Sequence, residues 1–349
     1  MTDFPTRPLW PTAGRRRGLA SRLLGQCLLI PLAWLSLAES AGAIPPSGYY
    51  DSADPSTGET LRATLHDLID DHQRFPYTSS ATDTWDILEE AQADPANSAN
   101  IIDVYRNESY ARQGGGNADY NREHTWPKSY GFPNDSSQNS AYTDCHMLYL
   151  SHDNYNSSRS NKPYGICDAS CDEKITVANQ GTGGGSGIYP GQSNWTRSGV
   201  WETWAGNRGN VARALLYADL RYAGGNHGLT LAAEPDLILT DDLSLIQTTG
   251  GNAAVGYMGL RSVLLQWHDE DPPDEAERER NDTVASYQGN RNPFIDHPEW
   301  VDCIFEDECV SSPVPLPTLS PPFLFATVTA MIAMGILMIR KSASSADQS

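Results

Sequence analysis

The sequence predicts an α+β protein with many helices, few strands and a small antiparallel sheet. Apolar residues recur at helical spacing in several segments, whereas only one short segment has the character of a strand. The chain has 349 residues, of which 39% are hydrophobic. That length and composition allow a sizeable core and give no sign of wholesale disorder.

Helical periodicity places the first helix at Leu61 to Phe75, with Thr57 or Thr60 near its N-cap. Further helices are predicted over Thr84–Ala93, Val211–Tyr222, Tyr257–Trp267 and Asp274–Ser286, and a strand over Asn100–Tyr105. A helix is also expected to begin near Thr143 or Asp144, with either residue as its cap.

The first 43 residues have the organisation of an export signal. A cluster of arginines is followed by a largely apolar run from Leu23 to Leu37, and the small residues Ala41-Gly42-Ala43 fit a signal peptidase site. We expect cleavage after Ala43. Arg15-Arg16 could belong to a twin-arginine signal, but the residues around the pair fit that pattern poorly.

The other end has three parts that follow a single domain over residues 44–309. A Pro-rich linker (310–322) precedes an apolar run (323–339), and a basic and polar tail (340–349) ends the chain. This arrangement resembles bacterial C-terminal sorting signals of the PEP-CTERM and VPLP type. It predicts contact with the membrane through residues 323–339, whether as a sorting signal or as a plain anchor.

Export permits disulfides, and five cysteines remain after the signal. Cys167 with Cys171, and Cys303 with Cys309, are spaced to close two small loops, which would leave Cys145 over. A zinc site is the alternative for Cys167 and Cys171, although no second pair has the matching geometry. Spacing alone does not fix the connectivity.

The formal net charge is −20, and the basic residues are nearly all arginine. Such a balance predicts weak nonspecific attraction to nucleic acid. Any affinity for a polyanion would come from a local arginine patch and a bound cation.

Two segments concentrate chemistry-bearing side chains. The first reads NREHTWPKS and contains Glu123 and His124; the second runs from Asp144 to Asn161 and contains Asn156 and Arg159. Adjacent strand residues point to opposite faces, so Glu123 and His124 can serve one site only where the chain bends. Asn156 and Arg159 share a face of any helix that reaches them.

Both segments resemble the endonuclease I family, the periplasmic or secreted nucleases of the ββα-metal (His-Me finger) superfamily. The first family motif is matched by Arg122, Glu123, His124, Pro127 and Ser129, and the second is partly matched by Asp144, His146, Leu148, Asn156, Arg159 and Asn161. Cys145, Met147 and Leu150 depart from the second motif. The resemblance continues through QWH at residues 266–268 and QGNRNPFIDHP at residues 288–298, and spans about Tyr49 to Ile304.

The resemblance implies a ββα-metal core and assigns roles to four residues. His124 would be the general base, Glu123 and Asn156 the metal ligands, and Arg159 a contact to phosphate. The implied ion is Mg²⁺, with Mn²⁺ or Ca²⁺ as alternatives. His146 is expected to be structural, and His152 to be an exposed helix residue.

The implied activity is a sugar-nonspecific endonuclease that hydrolyses phosphodiester bonds in DNA and RNA, exported or anchored at the envelope, and monomeric. Two alternatives stay open at this point. One is an extracellular ribonuclease of the same family, and the other is a non-catalytic nucleic-acid-binding surface protein.

Overall fold

A computed structural model describes residues 45–309. The helices of this region are α1 (Gly58–Ile69), α2 (Thr84–Ala91), α3 (Asp153–Arg159), α4 (Arg208–Arg221), α5 (Arg261–Glu270), α6 (Glu275–Gln288), α7 (Pro293–Asp296) and α8 (Trp300–Glu306). Its strands are β1 (Ala93–Asp94), β2 (Asn97–Ile102), β3 (Ser109–Ala111), β4 (Tyr120–His124), β5 (Leu148–His152), β6 (Asp172–Lys174), β7 (Asn194–Arg197), β8 (Val200–Glu202), β9 (Asp236–Leu239) and β10 (Val255–Met258).

The strands form small separate sheets rather than one large sheet. Two antiparallel sheets have the orders β1-β2-β3 and β6-β7-β8, and β4 pairs antiparallel with β5. A fourth pair, β9 with β10, is parallel. The α+β prediction is confirmed, although the structure has several small sheets where the sequence suggested one.

Helix α4 is the centre of the main core. Almost all of its residues are buried, and it packs against α1, α5 and β9. Helix α1 adds Leu61, Leu65 and Ile69, which recur every four residues and therefore lie on one buried face. This core supports one side of the β4–β5 hairpin.

The hairpin lies between two hydrophobic clusters. Tyr149 of β5 belongs to the main core, whereas Leu148 and Leu150 belong to a second cluster formed largely by α2. Because neighbouring strand residues point to opposite faces, β5 is covered on both sides. The hairpin is therefore held rigidly, and the side chains at its end have fixed positions.

Four helix predictions are confirmed: those for α1, α2, α4 and α6. Three of them hold within a few residues at both ends, whereas α1 ends at Ile69, six residues before the predicted Phe75. Thr57 caps α1 by accepting a hydrogen bond from the backbone of Thr60. Asp274 caps α6, which ends at Gly289 in the left-handed conformation (φ 84°). The predicted strand at residues 100–105 is also present, displaced toward the N-terminus as β2.

The prediction of a helix that begins near Thr143 or Asp144 is wrong. The backbone N–H of Met147 donates to the carbonyl of Asp144 in a turn, Leu148–His152 pairs with β4, and the helix α3 begins only at Asp153. The helix expected at Tyr257 starts instead at Arg261, because the residues before it form β10. In the first of the two places a short buried strand had the apolar character of a helix.

Two disulfides join Cys167 to Cys171 and Cys303 to Cys309, as the spacing indicated. The zinc alternative for Cys167 and Cys171 is therefore wrong. Cys145 is a buried thiol without a disulfide partner in residues 45–309.

The predicted export signal, Pro-rich linker and C-terminal apolar segment lie outside the described residues. Between residues 45 and 309, the structure contains no helix that is long and apolar enough to cross a membrane.

Candidate active site

The β4–β5 hairpin and α3 bring the sequence-predicted residues together. In the antiparallel register Glu123 faces Tyr149, and His124, the last residue of β4, faces Leu148. Helix α3 follows β5 without a gap and is capped by the side chain of His152, which accepts a hydrogen bond from the backbone of Asn154 (3.1 Å). The helix then lies against β4. Strand, strand and helix thus form the ββα unit that the resemblance implied.

Successive side chains of β4 point in opposite directions. The guanidinium of Arg122 lies 3.3 Å from the ring centroid of Tyr77, and the imidazole of His124 stacks on that same ring at 5.8 Å. Glu123 points to the other face, toward Tyr105. The bend that the sequence argument required between Glu123 and His124 is absent, because the strand stays regular through His124. The chain leaves the sheet immediately after His124, before Pro127, so both side chains lie at the end of the strand.

The imidazole of His124 has a defined tautomer. Its Nε2 lies 2.9 Å from the carbonyl oxygen of Tyr142, and because a carbonyl can only accept, Nε2 carries the hydrogen. Nδ1 therefore has a lone pair, and no side chain or backbone group of residues 45–309 donates to it. Burial lowers the pKa of His124 to about 3, and the positive charges of Lys128 and Arg122 act in the same direction. The imidazole is neutral at physiological pH, as a proton acceptor must be.

The carboxylate of Glu123 is held by one of its two oxygens. Oε1 accepts a hydrogen bond from the hydroxyl of Tyr105 (3.0 Å) and lies 3.0 Å from Nη1 of Arg159. Oε2 has no hydrogen-bond partner in the described part of the chain. Burial raises the pKa of Glu123 to about 7, while Arg159 and Tyr105 oppose the rise. A cation beside Oε2 would favour the charged carboxylate.

Asn156 of α3 is held against strand β4 by its side-chain amide. Its side-chain nitrogen donates to the backbone carbonyl of Arg122 (3.2 Å). Since that carbonyl cannot donate, the amide nitrogen must face it, and Oδ1 points elsewhere. Oδ1 accepts no hydrogen bond from residues 45–309. The side chain is half-buried, so the oxygen is available to a ligand.

Arg159 does not point toward solvent. Its side chain has no exposed surface, and besides Glu123 it binds backbone carbonyls: Nη1 donates to His124 (2.9 Å) and Nη2 to Thr125 (2.6 Å). The sequence-based expectation was a contact to phosphate. In the structure the guanidinium instead joins α3 to the end of β4.

No group of three or more His, Cys, Asp or Glu side chains within residues 45–309 is arranged to hold a metal ion. A zinc cluster of His124, His146 and His152 is therefore not formed there. Glu123 with Asn156 is a different kind of donor set, one carboxylate and one carboxamide oxygen. Such a pair suits a cation that keeps most of its water ligands.

Known proteins resemble this chain over most of its described part. The family model for endonuclease I matches residues 57–299. The chain belongs to the endonuclease I family. It is also 36% identical over 275 residues to an extracellular ribonuclease of Bacillus subtilis (strain 168), which covers 78% of this chain and 83% of the relative. An extracellular ribonuclease of Bacillus amyloliquefaciens is 36% identical over 273 residues, covering 76% and 82%.

As a member of the endonuclease I family, the protein is a nuclease that acts on phosphodiester bonds, so the alternative of a non-catalytic binding protein is set aside. The two relatives are extracellular by name, and the domain holds two disulfides. Both facts support a secreted protein.

Several residues around the site of this endonuclease were not identified from the sequence. Tyr105 supports Glu123, and its hydroxyl lies 2.9 Å from the hydroxyl of Tyr164. The guanidinium carbon of Arg159 lies over the ring of Tyr164, 4.5 Å from the ring centroid. Both tyrosines come from segments outside the motif matches, so no local pattern connects them to the site.

Three further residues of the matched segments make structural contacts. His146 is buried, and its Nε2 lies 3.0 Å from the carbonyl of Asn290. His152 ends β5 and caps α3, so it is not an exposed helix residue. Arg291 is buried and ion-paired with Asp282 and Asp296.

Proposed function

We propose that this chain is a sugar-nonspecific endonuclease that hydrolyses phosphodiester bonds in RNA and DNA with one divalent ion and His124 as general base. One observation carries the proposal. Three acceptor atoms at the β4–α3 junction have no partner among the described residues: Nδ1 of His124, Oε2 of Glu123 and Oδ1 of Asn156. A water molecule and a cation are the ligands that such atoms attract.

The donor set fits a hard divalent ion. Carboxylate and carboxamide oxygens are typical ligands of Mg²⁺, and Mn²⁺ or Ca²⁺ accept the same donors. Glu123 and Asn156 would hold the ion. When bound, it would stabilise negative charge on the phosphate and on the leaving oxygen.

The protein's own residues account for the remaining chemistry. The Tyr142 carbonyl holds the proton on Nε2 of His124, so Nδ1 is oriented to remove a proton from the attacking water. Arg159 and Tyr105 keep one oxygen of Glu123 occupied and direct the other toward the ion. Arg159 is thus a positioning residue in this proposal, not a contact to phosphate.

The names of the two relatives favour RNA, and we therefore place RNA beside DNA in the proposal. A site that acts through phosphate and water has no requirement for the 2′-hydroxyl, which supports cleavage of both polymers. The test is plasmid nicking beside digestion of a structured RNA, each with Mg²⁺ and with excess EDTA. We expect both substrates to be cut only with the ion. Full cleavage after exhaustive chelation would exclude the one-metal mechanism.

We further propose that the mature protein begins near Ile44, acts as a monomer, and is held at the envelope by residues 323–339. The basis is the sequence pattern at each end together with the extracellular relatives. N-terminal sequencing of the exported protein and fractionation of a form truncated after Val310 test the two ends separately. An unprocessed cytoplasmic protein would contradict the first part, and a truncated form that stays with the membrane the second.

A further inference from the structure

Most arginines of this acidic protein contact carboxylates, whereas its described lysines do not. In residues 45–309 nine arginines form ion pairs with carboxylates: Arg62, Arg74, Arg106, Arg159, Arg197, Arg208, Arg213, Arg221 and Arg291. The three lysines of the same region, Lys128, Lys162 and Lys174, form no such pair there. Five arginines of the region, Arg112, Arg122, Arg261, Arg278 and Arg280, also form no ion pair with the described carboxylates. The lysines differ in that none of the three is paired, although the chain has 44 acidic residues.

Two of the three lysines, Lys128 and Lys162, lie beside the catalytic unit. Lys128 follows His124 by four residues, and Lys162 follows the end of α3 by three. Nζ of Lys162 donates to the carbonyl of Ser158 in α3 and to the hydroxyl of Thr196, both at 2.8 Å, so this ammonium is fixed at the C-terminus of the helix. All three lysines are half-buried, which leaves part of each side chain open to a ligand.

Lys128 is tied to the same residue that orients His124. Its Nζ lies 2.6 Å from the hydroxyl of Tyr142 and 4.7 Å from the centroid of that ring. The Tyr142 ring in turn packs edge-on against His124 at 5.0 Å, and its carbonyl binds Nε2. An ammonium has three donors, and Tyr142 occupies one of them, so two remain for an anion near His124.

Lys162 and Lys174 are connected through the β6–β7 pair. Nζ of Lys162 donates to Thr196 of β7, whose partner in the antiparallel register is Asp172, two residues before Lys174 on β6. The positive charge of Lys174 helps to lower the pKa of Lys162, after burial, while Asp172 opposes this from beyond ion-pair distance. Placing two ammonium groups together without a carboxylate contact costs free energy in the unbound protein. A bound polyanion would remove that cost.

We propose that Lys128 contacts the phosphate being cleaved and that Lys162 and Lys174 hold the phosphates of neighbouring nucleotides. The inference rests on the proposed function, and it fills the phosphate-contact role that the buried Arg159 leaves open. Lys128 acts where charge develops in the transition state, so it influences the chemical step. Lys162 and Lys174 act on the backbone of the bound polymer, so they influence affinity and its dependence on salt.

The experiment compares four variants with a single-stranded oligonucleotide: Lys128→Gln, Lys128→Arg, the double variant Lys162→Gln with Lys174→Gln, and Arg197→Gln. Arg197 is the matched control because it is exposed and already paired with Asp168. Single-turnover rates are measured at saturating Mg²⁺ and substrate. Binding is measured in EDTA by fluorescence anisotropy at several KCl concentrations, and thermal unfolding establishes that each variant is folded.

We expect Lys128→Gln to lower the single-turnover rate by about 10²–10³-fold, the range for one lost electrostatic contact, and Lys128→Arg to keep most of it. The double variant should bind more weakly, and its slope of log K against log salt should become shallower by about 0.7 for each lysine. Arg197→Gln should alter neither quantity.

Either of two results would overturn the inference. One is a folded Lys128→Gln enzyme with the wild-type rate, and the other is a double variant with an unchanged salt slope. An equal loss of rate in Lys128→Gln and Lys128→Arg would also count against a charge contact. It would mean that Lys128 acts only by holding Tyr142 in place. A wild-type protein that binds but does not cleave would refute the proposed function instead, while the binding arm in EDTA would still test Lys162 and Lys174.

Discussion

Nη1 of Arg159 lies 3.0 Å from Oε1 of Glu123, and both side chains are buried. This ion pair connects the last residue of α3 to the penultimate residue of β4. It fixes which oxygen of Glu123 is occupied and which is available. The pair therefore links the stability of the fold to the proposed metal site.

Replacing Arg159 with alanine should have two effects. Removal of one partner from a buried pair costs about 3–5 kcal/mol of unfolding free energy, because the other charge stays buried without compensation. It should also raise the Mg²⁺ concentration needed for half-maximal activity, since Glu123 loses its orientation.

Arg213→Ala is the matched control for that variant, because Arg213 forms a comparable buried pair with Glu277 away from the hairpin. Urea unfolding and Mg²⁺ titration, both at a temperature where the variants are folded, separate the effects. We expect similar destabilisation but a changed Mg²⁺ requirement in Arg159→Ala alone. Equal Mg²⁺ curves for the two variants would mean that Arg159 does not position Glu123.

Glu123→Gln and Asn156→Ala should each raise the metal concentration required for cleavage, because each removes one of two protein ligands. Asn154→Ala is the control: Asn154 lies on the same short helix, but its side chain is exposed. Metal titrations with Mg²⁺ and Mn²⁺ give the readout. If Asn156→Ala and Asn154→Ala behaved alike, Asn156 would not be a ligand.

His268 offers a test of buried histidines outside the site. Its Nε2 lies 3.1 Å from the carbonyl of Pro298, and burial, aided by the positive charge of Arg213, lowers its pKa to about 4. The folded state thus keeps His268 neutral at pH values where the unfolded chain, with a pKa of about 6.5, binds a proton. Its contribution to stability is complete above pH 6.5 and declines as the pH falls toward 4.

The destabilisation caused by His268→Gln should therefore shrink by about 1–2 kcal/mol between pH 7.5 and pH 5. Burial raises the pKa of Asp103 to about 7 and that of Asp271 to about 6, so these two groups change the free energy of unfolding with pH in the opposite direction. The difference between variant and wild type removes their effect and leaves that of the histidine. Urea unfolding of both proteins at the two pH values is the measurement. A difference that stayed constant or grew on acidification would contradict the lowered pKa.

How far the sequence predicted the site depends on where each residue lies along the chain. Glu123, His124 and Asn156 belong to compact motifs, and the structure brings them to one hairpin and the helix after it. The role of Arg159 could not be read in this way, because a guanidinium three residues from Asn156 can face solvent or the hairpin. The guanidinium faces the hairpin because it is buried there. Its surroundings include Tyr105 and Tyr164, which come from other segments of the chain.

The fold was predicted unevenly for a similar reason. Helices with polar faces, such as α1 and α6, have a clear period and recognisable caps. Leu148–His152 is covered by core on both faces, so its apolar run lacks the alternation that marks a strand. Strand β10 was missed for a different reason: it is only four residues long, and its partner β9 lies in a different stretch of sequence.

The central claim is that His124 is the base while Glu123 and Asn156 hold the ion. Single-turnover cleavage by His124→Ala at saturating Mg²⁺ tests it most directly, with added imidazole as a second arm. We expect the rate to fall by about 10²–10⁴-fold, the range for losing a general base, while the Mg²⁺ midpoint stays unchanged. Imidazole should restore part of this rate but none of the rate lost in Asn156→Ala. A His124→Ala enzyme that cleaves at the wild-type rate would remove His124 from the mechanism and contradict the account.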